Sequence, residues 1–246
     1  MNDRLAKPLV AEAIGTFALC FIGLLAISAG KIADAPAGTV NLTSIAFAHG
    51  LAIAVMVAAM GAVSGAHFNP AVTFGFVVTG RMAPVRGLAY WGAQIVGAVV
   101  ASGIVAFIFG TETVANGTPN LALGIPAGAG ILIEMVTTFF LVLVVFGTAV
   151  DERAPKSVFP LAIGLTVALD IMGTGPLTGG AMNPARVFGP ALVSGMWTNH
   201  LVYWVGPLLG GALGALVQHA FLMDRAPSAA TAEHGGPAPS EQRGNR

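Results

Sequence analysis

The sequence predicts an all-α membrane protein, a bundle of six transmembrane helices with two shorter re-entrant half-helices, built as an inverted repeat. Three observations carry this. Of the 246 residues, 55% are hydrophobic and 9% are charged, whereas an ordinary soluble domain is roughly 25% charged. Six apolar stretches, about 8–30, 42–63, 87–109, 128–150, 157–175 and 200–223, reach the roughly 20 residues that a helix needs to cross the hydrocarbon core. The two halves of the chain also resemble each other residue by residue. The 33 glycines and 15 prolines, with only two tyrosines, suit close-packed helices with irregular interruptions better than a barrel with aromatic girdles.

The first stretch is too long for the apolar region of a cleavable signal and is expected to stay attached. Six crossings put both termini on one side. Basic residues then fix the orientation: Arg4 and Lys7, Arg81 and Arg86, Arg153 and Lys156, and Arg225 fall in links on one side, against Lys31 and Arg186 on the other. The positive-inside rule makes both termini cytoplasmic. The absence of a targeting extension favours a plasma (inner) membrane. Residues 1–223 are read as a single channel domain, with a first half over 5–110, an external connecting loop over 111–127 and an inverted second half over 128–223. The tail 224–246 is rich in Ala, Pro, Ser and Gly and is expected to be disordered.

The repeat is counted from Asn69 and Asn183, 114 residues apart. Gly50-Leu51 matches Gly164-Leu165, Ser64-Gly65 matches Thr178-Gly179, and Phe74-Gly75 matches Phe188-Gly189. Tyr90-Trp91 resembles Tyr203-Trp204, and Glu12 with Thr16-Phe17 resembles Glu134 with Thr138-Phe139. Each half has three crossings, an odd number, so the second half enters from the opposite face. The short pieces Val72–Val78 and Val187–Val193 are each introduced by Asn-Pro-Ala. Proline suits a first helical turn and asparagine suits the cap before it, so Asn69 and Asn183 are expected at two helix N-termini. Irregular backbone at membrane depth is tolerated only in protein or along a wet cavity. The carbonyls of Gly65, Ala66, His67 and Phe68, and of Gly179, Gly180, Ala181 and Met182, are therefore expected to line a pathway.

Two boxes, Ser64-Gly-Ala-His-Phe-Asn-Pro-Ala-Val-Thr73 and Gly179-Gly-Ala-Met-Asn-Pro-Ala-Arg186, placed alike in inverted halves, resemble the aquaporin (major intrinsic protein) family over about residues 5–223. The resemblance implies a passive water channel whose pore boxes are Asn69, Pro70, Ala71 and Asn183, Pro184, Ala185. By offset from the boxes it implies a selectivity filter of His49, Ile171, Gly180 and Arg186. That quartet departs from a strict water filter and looks like the vacuolar-membrane (tonoplast) type. Gly180 is expected to leave space and Ile171 to give an apolar wall, which together admit ammonia, hydrogen peroxide or urea beside water. Protonation of His49 beside Arg186 would add like charge, a route to pH dependence. A glycerol facilitator is the alternative, although that branch generally carries aspartate where Val187 follows Arg186 here. The family also implies a homotetramer with one pore per subunit.

Buried carboxylates by default suggest proton or ion coupling, so an ion-coupled secondary transporter is the reading from another class. Against it, Glu12 and Glu134 occupy equivalent repeat positions and, as the resemblance implies, anchor the loops by accepting backbone N–H bonds. Asp170 has no repeat partner and is assigned no role. His67 is expected near the cytoplasmic end of the path. Gly97 with Ala101 and Gly210 with Gly214 are small residues four apart, suited to close helix packing. Cys20 is the single cysteine, which rules out an intrachain disulfide and a cysteine metal cluster. Eleven basic and eleven acidic residues leave no surplus for nucleic acid. No catalytic motif is present, so no enzyme activity, metal or cofactor is expected; the partners are water, small neutral solutes and the lipid bilayer.

Overall fold

Residues 3–34, 36 and 39–223 are described in a computed structural model; the tail expected over 224–246 lies outside them. The described residues form helices α1 (Asp3–Ile32), α2 (Leu42–Ser64), α3 (Pro70–Val78), α4 (Pro84–Phe109) and α5 (Thr111–Gly117), followed by α6 (Ala127–Val145), α7 (Phe159–Thr178), α8 (Pro184–Ser194) and α9 (Val202–Val217). The helices α6 and α9 each continue into a π-helical turn, Phe146–Val150 and Gln218–Leu222. Six of these helices are long and apolar enough to span a membrane, at the places the hydropathy predicts. The short helices α3 and α8 are the two half-helices.

The connection 111–127 differs from the expected loop, because α5 occupies its first seven residues. Glu112 lies in the first turn of α5, where an acidic side chain favours a helix start. Val114 is fully buried against Leu24 and Val105, which holds the helix down. A piece this short and polar leaves no mark on a hydropathy count.

The repeat is visible in the packing. Helix α1 lies against α4 as α6 lies against α9, and α2 meets α7 across the pseudo-twofold axis. A Cβ at Gly97 would run into the carbonyl of Ala13, and one at Gly210 into the carbonyl of Met135. Only glycine lets these backbones touch, the use for small residues in membrane helices. At the centre the half-helices are enclosed, with Pro70, Ala71 and Thr73 of α3 and Pro184, Ala185 and Val187 of α8 all buried.

Candidate functional site

Each asparagine caps its own half-helix and reaches across to the other loop. Asn69 Oδ1 accepts from Ala71 N at 2.8 Å, and Asn183 Oδ1 accepts from Ala185 N at 3.0 Å and Arg186 N at 3.2 Å. The side-chain amides then cross the axis: Asn69 Nδ2 donates to the Met182 carbonyl and Asn183 Nδ2 to the Phe68 carbonyl, both at 2.9 Å. Two helix N-termini are thereby fastened face to face in the middle of the bundle.

The loops before the boxes are held by the two glutamates. Glu12 Oε1 accepts from Ser64 Oγ at 2.7 Å and His67 N at 2.9 Å; Oε2 accepts from Phe68 N and Gln94 Nε2, both at 2.7 Å. Glu134 Oε1 accepts from Thr178 Oγ1 at 2.6 Å and Ala181 N at 3.0 Å, and Oε2 from Met182 N at 2.7 Å. These bonds offset a strained backbone. Phe68 and Met182 sit at φ of 51° and 53°, with Ala66 at 52° and Gly180 at 54°, and the left-handed region costs a residue with a Cβ roughly 1–2 kcal/mol. The tyrosines complete the symmetry, with Tyr90 Oη donating to Ser64 O at 2.9 Å and Tyr203 Oη to Thr178 O at 2.7 Å.

Two of the expected pathway carbonyls are engaged elsewhere. Phe68 O receives Asn183 Nδ2 and also Thr16 Oγ1 at 3.2 Å, which fills both of its lone pairs. Met182 O receives Asn69 Nδ2. These carbonyls join the caps to each other, and Phe68 O has no lone pair left for a passing water while Met182 O keeps one.

Two cavities meet near the caps. The inner one has a volume of about 50 Å³ and is lined by His67, Asn69, Val167, Gly180 and Asn183 among others. That is above the roughly 10–15 Å³ that a cavity needs to hold a water. The outer one is about 320 Å³ and is lined by Gly117, Asn120, Gly175 and Gly179. His49, Ile171 and Arg186 line both, so they form the waist between them. At that waist Arg186 Nη1 donates to Gly117 O at 3.0 Å and Nη2 lies 3.3 Å from His49 Nε2. His49 Nδ1 sits 2.8 Å from the Ile45 carbonyl. A carbonyl only accepts, so Nδ1 carries the hydrogen and Nε2 is the acceptor for the arginine.

Gly180 works differently from its sequence expectation. A Cβ there would lie 3.0 Å from Ile171 Cα and 3.1 Å from Thr174 Oγ1, so a side chain would push against α7 instead of hanging into the opening. The glycine lets the loop rest on α7. His67 lines the inner cavity, with Nδ1 3.1 Å from Thr73 Oγ1 and its ring stacked on Phe76. Gln94, Thr73, Gly117 and the two tyrosines were not singled out as site residues. Repeat alignment could have found the tyrosines, but no local pattern marks the others. Among the described residues no cluster of His, Cys, Asp and Glu is arranged to hold a metal.

Similarity to known proteins agrees with this geometry. The sequence model described as Major intrinsic protein matches residues 2–218. The chain belongs to the major intrinsic protein family. Among its relatives, "Aquaporin TIP4-4" of Zea mays is 45% identical over 222 residues, covering 88% of this chain and 87% of that one. "Aquaporin TIP2-1" of Arabidopsis thaliana is 42% identical over 212 residues, covering 85% and 84%. The X-ray structure of the aquaglyceroporin from Plasmodium falciparum matches with a TM-score of 0.77 at 22% identity, covering 88% of this chain and 96% of that one; at that identity the likeness is one of fold. The relatives are tonoplast-class aquaporins, and this chain is an integral, multi-pass membrane channel, not an enzyme.

Proposed function

We propose that this channel conducts water passively and in single file, from the inner cavity past the two asparagine caps and out through the waist at His49, Ile171 and Arg186. The observation that carries the reading is the pair of crossed bonds from Asn69 to Met182 O and from Asn183 to Phe68 O, which aims two helix N-termini at one point. Each terminus contributes roughly half a positive charge, which with the arginine opposes cations, the general expectation for aquaporin-type pores. Each amide has a second N–H with no acceptor among the described residues, ready to donate to a passing water. A water so held cannot relay a proton through the occupied lone pair.

Gly180, Ile171, His49 and Arg186 act together as the filter. With His49 and Arg186 bonded to each other and Ile171 apolar, the waist suits small neutral solutes, ammonia, hydrogen peroxide and urea among them. Val187 beside Arg186 and the identity of the relatives both favour water over glycerol. Residues 1–223 act as one channel unit of two inverted halves, both termini are cytoplasmic, and four copies assemble with one pore each. The relatives are tonoplast aquaporins and lend no support to the plasma membrane expected from the sequence.

Stopped-flow light scattering on proteoliposomes tests this. Osmotic shrinkage far faster than in empty vesicles, with glycerol uptake unchanged and urea or ammonia uptake accelerated, is the expected pattern. Glycerol uptake accelerated as strongly as water flux would overturn it.

A further inference from the structure

We propose that His200, in the turn between α8 and α9, is a pH-sensitive latch that holds the Trp204 indole when neutral and, when protonated, releases it to the Pro184 carbonyl of the second box. The repeat supplies the second position of the latch. In the first half Trp91 Nε1 donates to Pro70 O at 3.0 Å, which ties α4 to the first box. Trp204 is the counterpart of Trp91 and Pro184 that of Pro70, yet Trp204 Nε1 donates to His200 Nε2 at 3.0 Å. Gly87 stands where His200 would fall in the first half, so Trp91 meets no imidazole at that place.

The two indoles occupy equivalent positions. The ring centre of Trp91 lies 6.5 Å from that of Phe74 on α3, and the centre of Trp204 lies 6.5 Å from that of Phe188 on α8. Their tilts differ, 60° in the first pair and 89° in the second. One indole N–H points at its box and the other at a histidine. The two bonds thus differ by a turn of the indole in place, not by a shift of α9.

An indole N–H only donates, so His200 Nε2 is a bare acceptor and the ring hydrogen sits on Nδ1. A proton added at Nε2 sets two donors face to face and ends the bond. The Trp204 N–H, packed among the rings of Trp91 and Phe188, then needs another partner, because an unpaired donor away from water is costly. Pro184 O is the acceptor that the repeat provides, and a carbonyl has a second lone pair to give.

Among the described residues, the charged and titratable groups on the surrounding elements are committed elsewhere. On α8, Arg186 bonds to Gly117 O and His49; on α9, Tyr203 gives its hydroxyl to Thr178 O. On α6, Glu134 accepts from Thr178, Ala181 and Met182; on α4, Arg86 Nη2 bonds Tyr90 Oη at 3.1 Å. The links 118–126 and 195–201 carry no other titratable side chain. Trp197 and Phe188 stand edge-on to the imidazole, with centres at 4.7 and 6.0 Å. This partial burial lowers the basicity of His200, so the latch turns as pH falls below its ordinary value of roughly 6.5.

The consequence for transport rests on the channel reading. A Trp204 bond to Pro184 O braces the second box as Trp91 braces the first, two residues from Arg186 of the waist. A firmer waist slows a wide solute more than it slows water.

Magnetic resonance of the full chain in lipid discs, with nitrogen-15 in the tryptophan indoles, tests the latch directly. The three tryptophans, Trp91, Trp197 and Trp204, give separate indole signals, and Trp204→Phe assigns one of them. Between pH 8 and pH 4 the Trp204 signal should move, with a midpoint below about 6.5, and stay within the range of a hydrogen-bonded indole while Trp91 holds still. A Trp204 signal that does not move, or that moves into the range of an unbonded N–H, would overturn the proposal. His200→Gln keeps an acceptor that does not titrate, so the signal should stay fixed there, and movement that persists in this variant would equally refute the latch. In proteoliposomes with equal pH on both sides, the urea-to-water permeability ratio of wild type should fall by about twofold or more from pH 7 to pH 4.5 and hold level in His200→Gln. A level ratio in wild type, or a fall of the same size in the variant, contradicts the transport consequence. Failure of the channel reading would instead appear as absent water flux at every pH, while the indole signals stand apart from it.

Discussion

Beside the crossed asparagines, the first re-entrant loop is braced by five side chains, Glu12, Thr16, Tyr90, Trp91 and Gln94, and the second by two, Glu134 and Tyr203, although one sequence pattern was written twice. Around the first, Glu12 holds four donors, Thr16 reaches Phe68 O, and Trp91 Nε1 donates to Pro70 O at 3.0 Å. Gln94 further ties Glu12 to Thr73, which also meets His67. In the second half the position of Gln94 is taken by Pro207 and that of Thr73 by Val187. Trp204 turns away to His200 at 3.0 Å, whose partial burial depresses its basicity. Among the described residues, and beside the Asn69 bond to Met182 O, the second loop keeps Glu134 and Tyr203, and next to it stands the arginine, bonded to α5 and His49. The half that supplies Ile171 and Arg186 to the waist is the less braced one.

Glu134→Gln should therefore do the most harm, losing roughly 1.5–3 kcal/mol for each charge-assisted bond, with Met182 and Gly180 freed to shift. Thermal melting together with water flux would show it. Glu12→Gln should cost less, because Gln94, Thr16, Tyr90 and Trp91 remain in place, and equal damage from the two would break the comparison. Next in size, Gln94→Leu brings the first loop one step closer to the bracing of the second, with Thr16 and Trp91 still in place. It should lower stability by roughly 1–3 kcal/mol while leaving the urea-to-water permeability ratio unchanged.

The parts of this arrangement that were legible in the sequence share a physical cause. Spans show themselves by apolar length, and half-helices by proline and asparagine at a fixed place in a repeat, so α1 to α4 and α6 to α9 follow from hydropathy and capping alone. Gln94 and Thr73 were not legible, because a lone polar residue on an apolar helix carries no mark of its partner 82 or 21 residues away. The role of Gly117 was hidden for a related reason: it acts through a carbonyl, which every residue has, on a helix too short to show a period. The direction of the side chain that Gly180 lacks is set by the backbone and requires the structure.

A smaller effect is expected where the halves agree. Tyr203→Phe removes one bond to Thr178 O and should cost about 1 kcal/mol in a melting experiment, and Tyr90→Phe a similar amount. The smallest lies beyond the end of α6, where Arg153 Nη2 bonds both Asp151 Oδ2 at 2.6 Å and Leu222 O at 2.7 Å. The arginine holds the Asp151 carboxyl down at about 2. A depressed carboxyl adds stability above its ordinary value of roughly 3.9 and loses it as pH falls through the lower one. The melting temperatures of wild type and Asp151→Asn should thus differ slightly at pH 5 and converge near pH 2, and the pair's exposure keeps that difference small.

Two opposed asparagine caps that pass water must also stop protons. Osmotic water flux and decay of an imposed pH gradient, recorded on the same proteoliposomes, test it most directly. Rapid shrinkage with a gradient that persists as long as in empty vesicles is the expected result. Shrinkage no faster than in empty vesicles, or a gradient that collapses as the water moves, would contradict it.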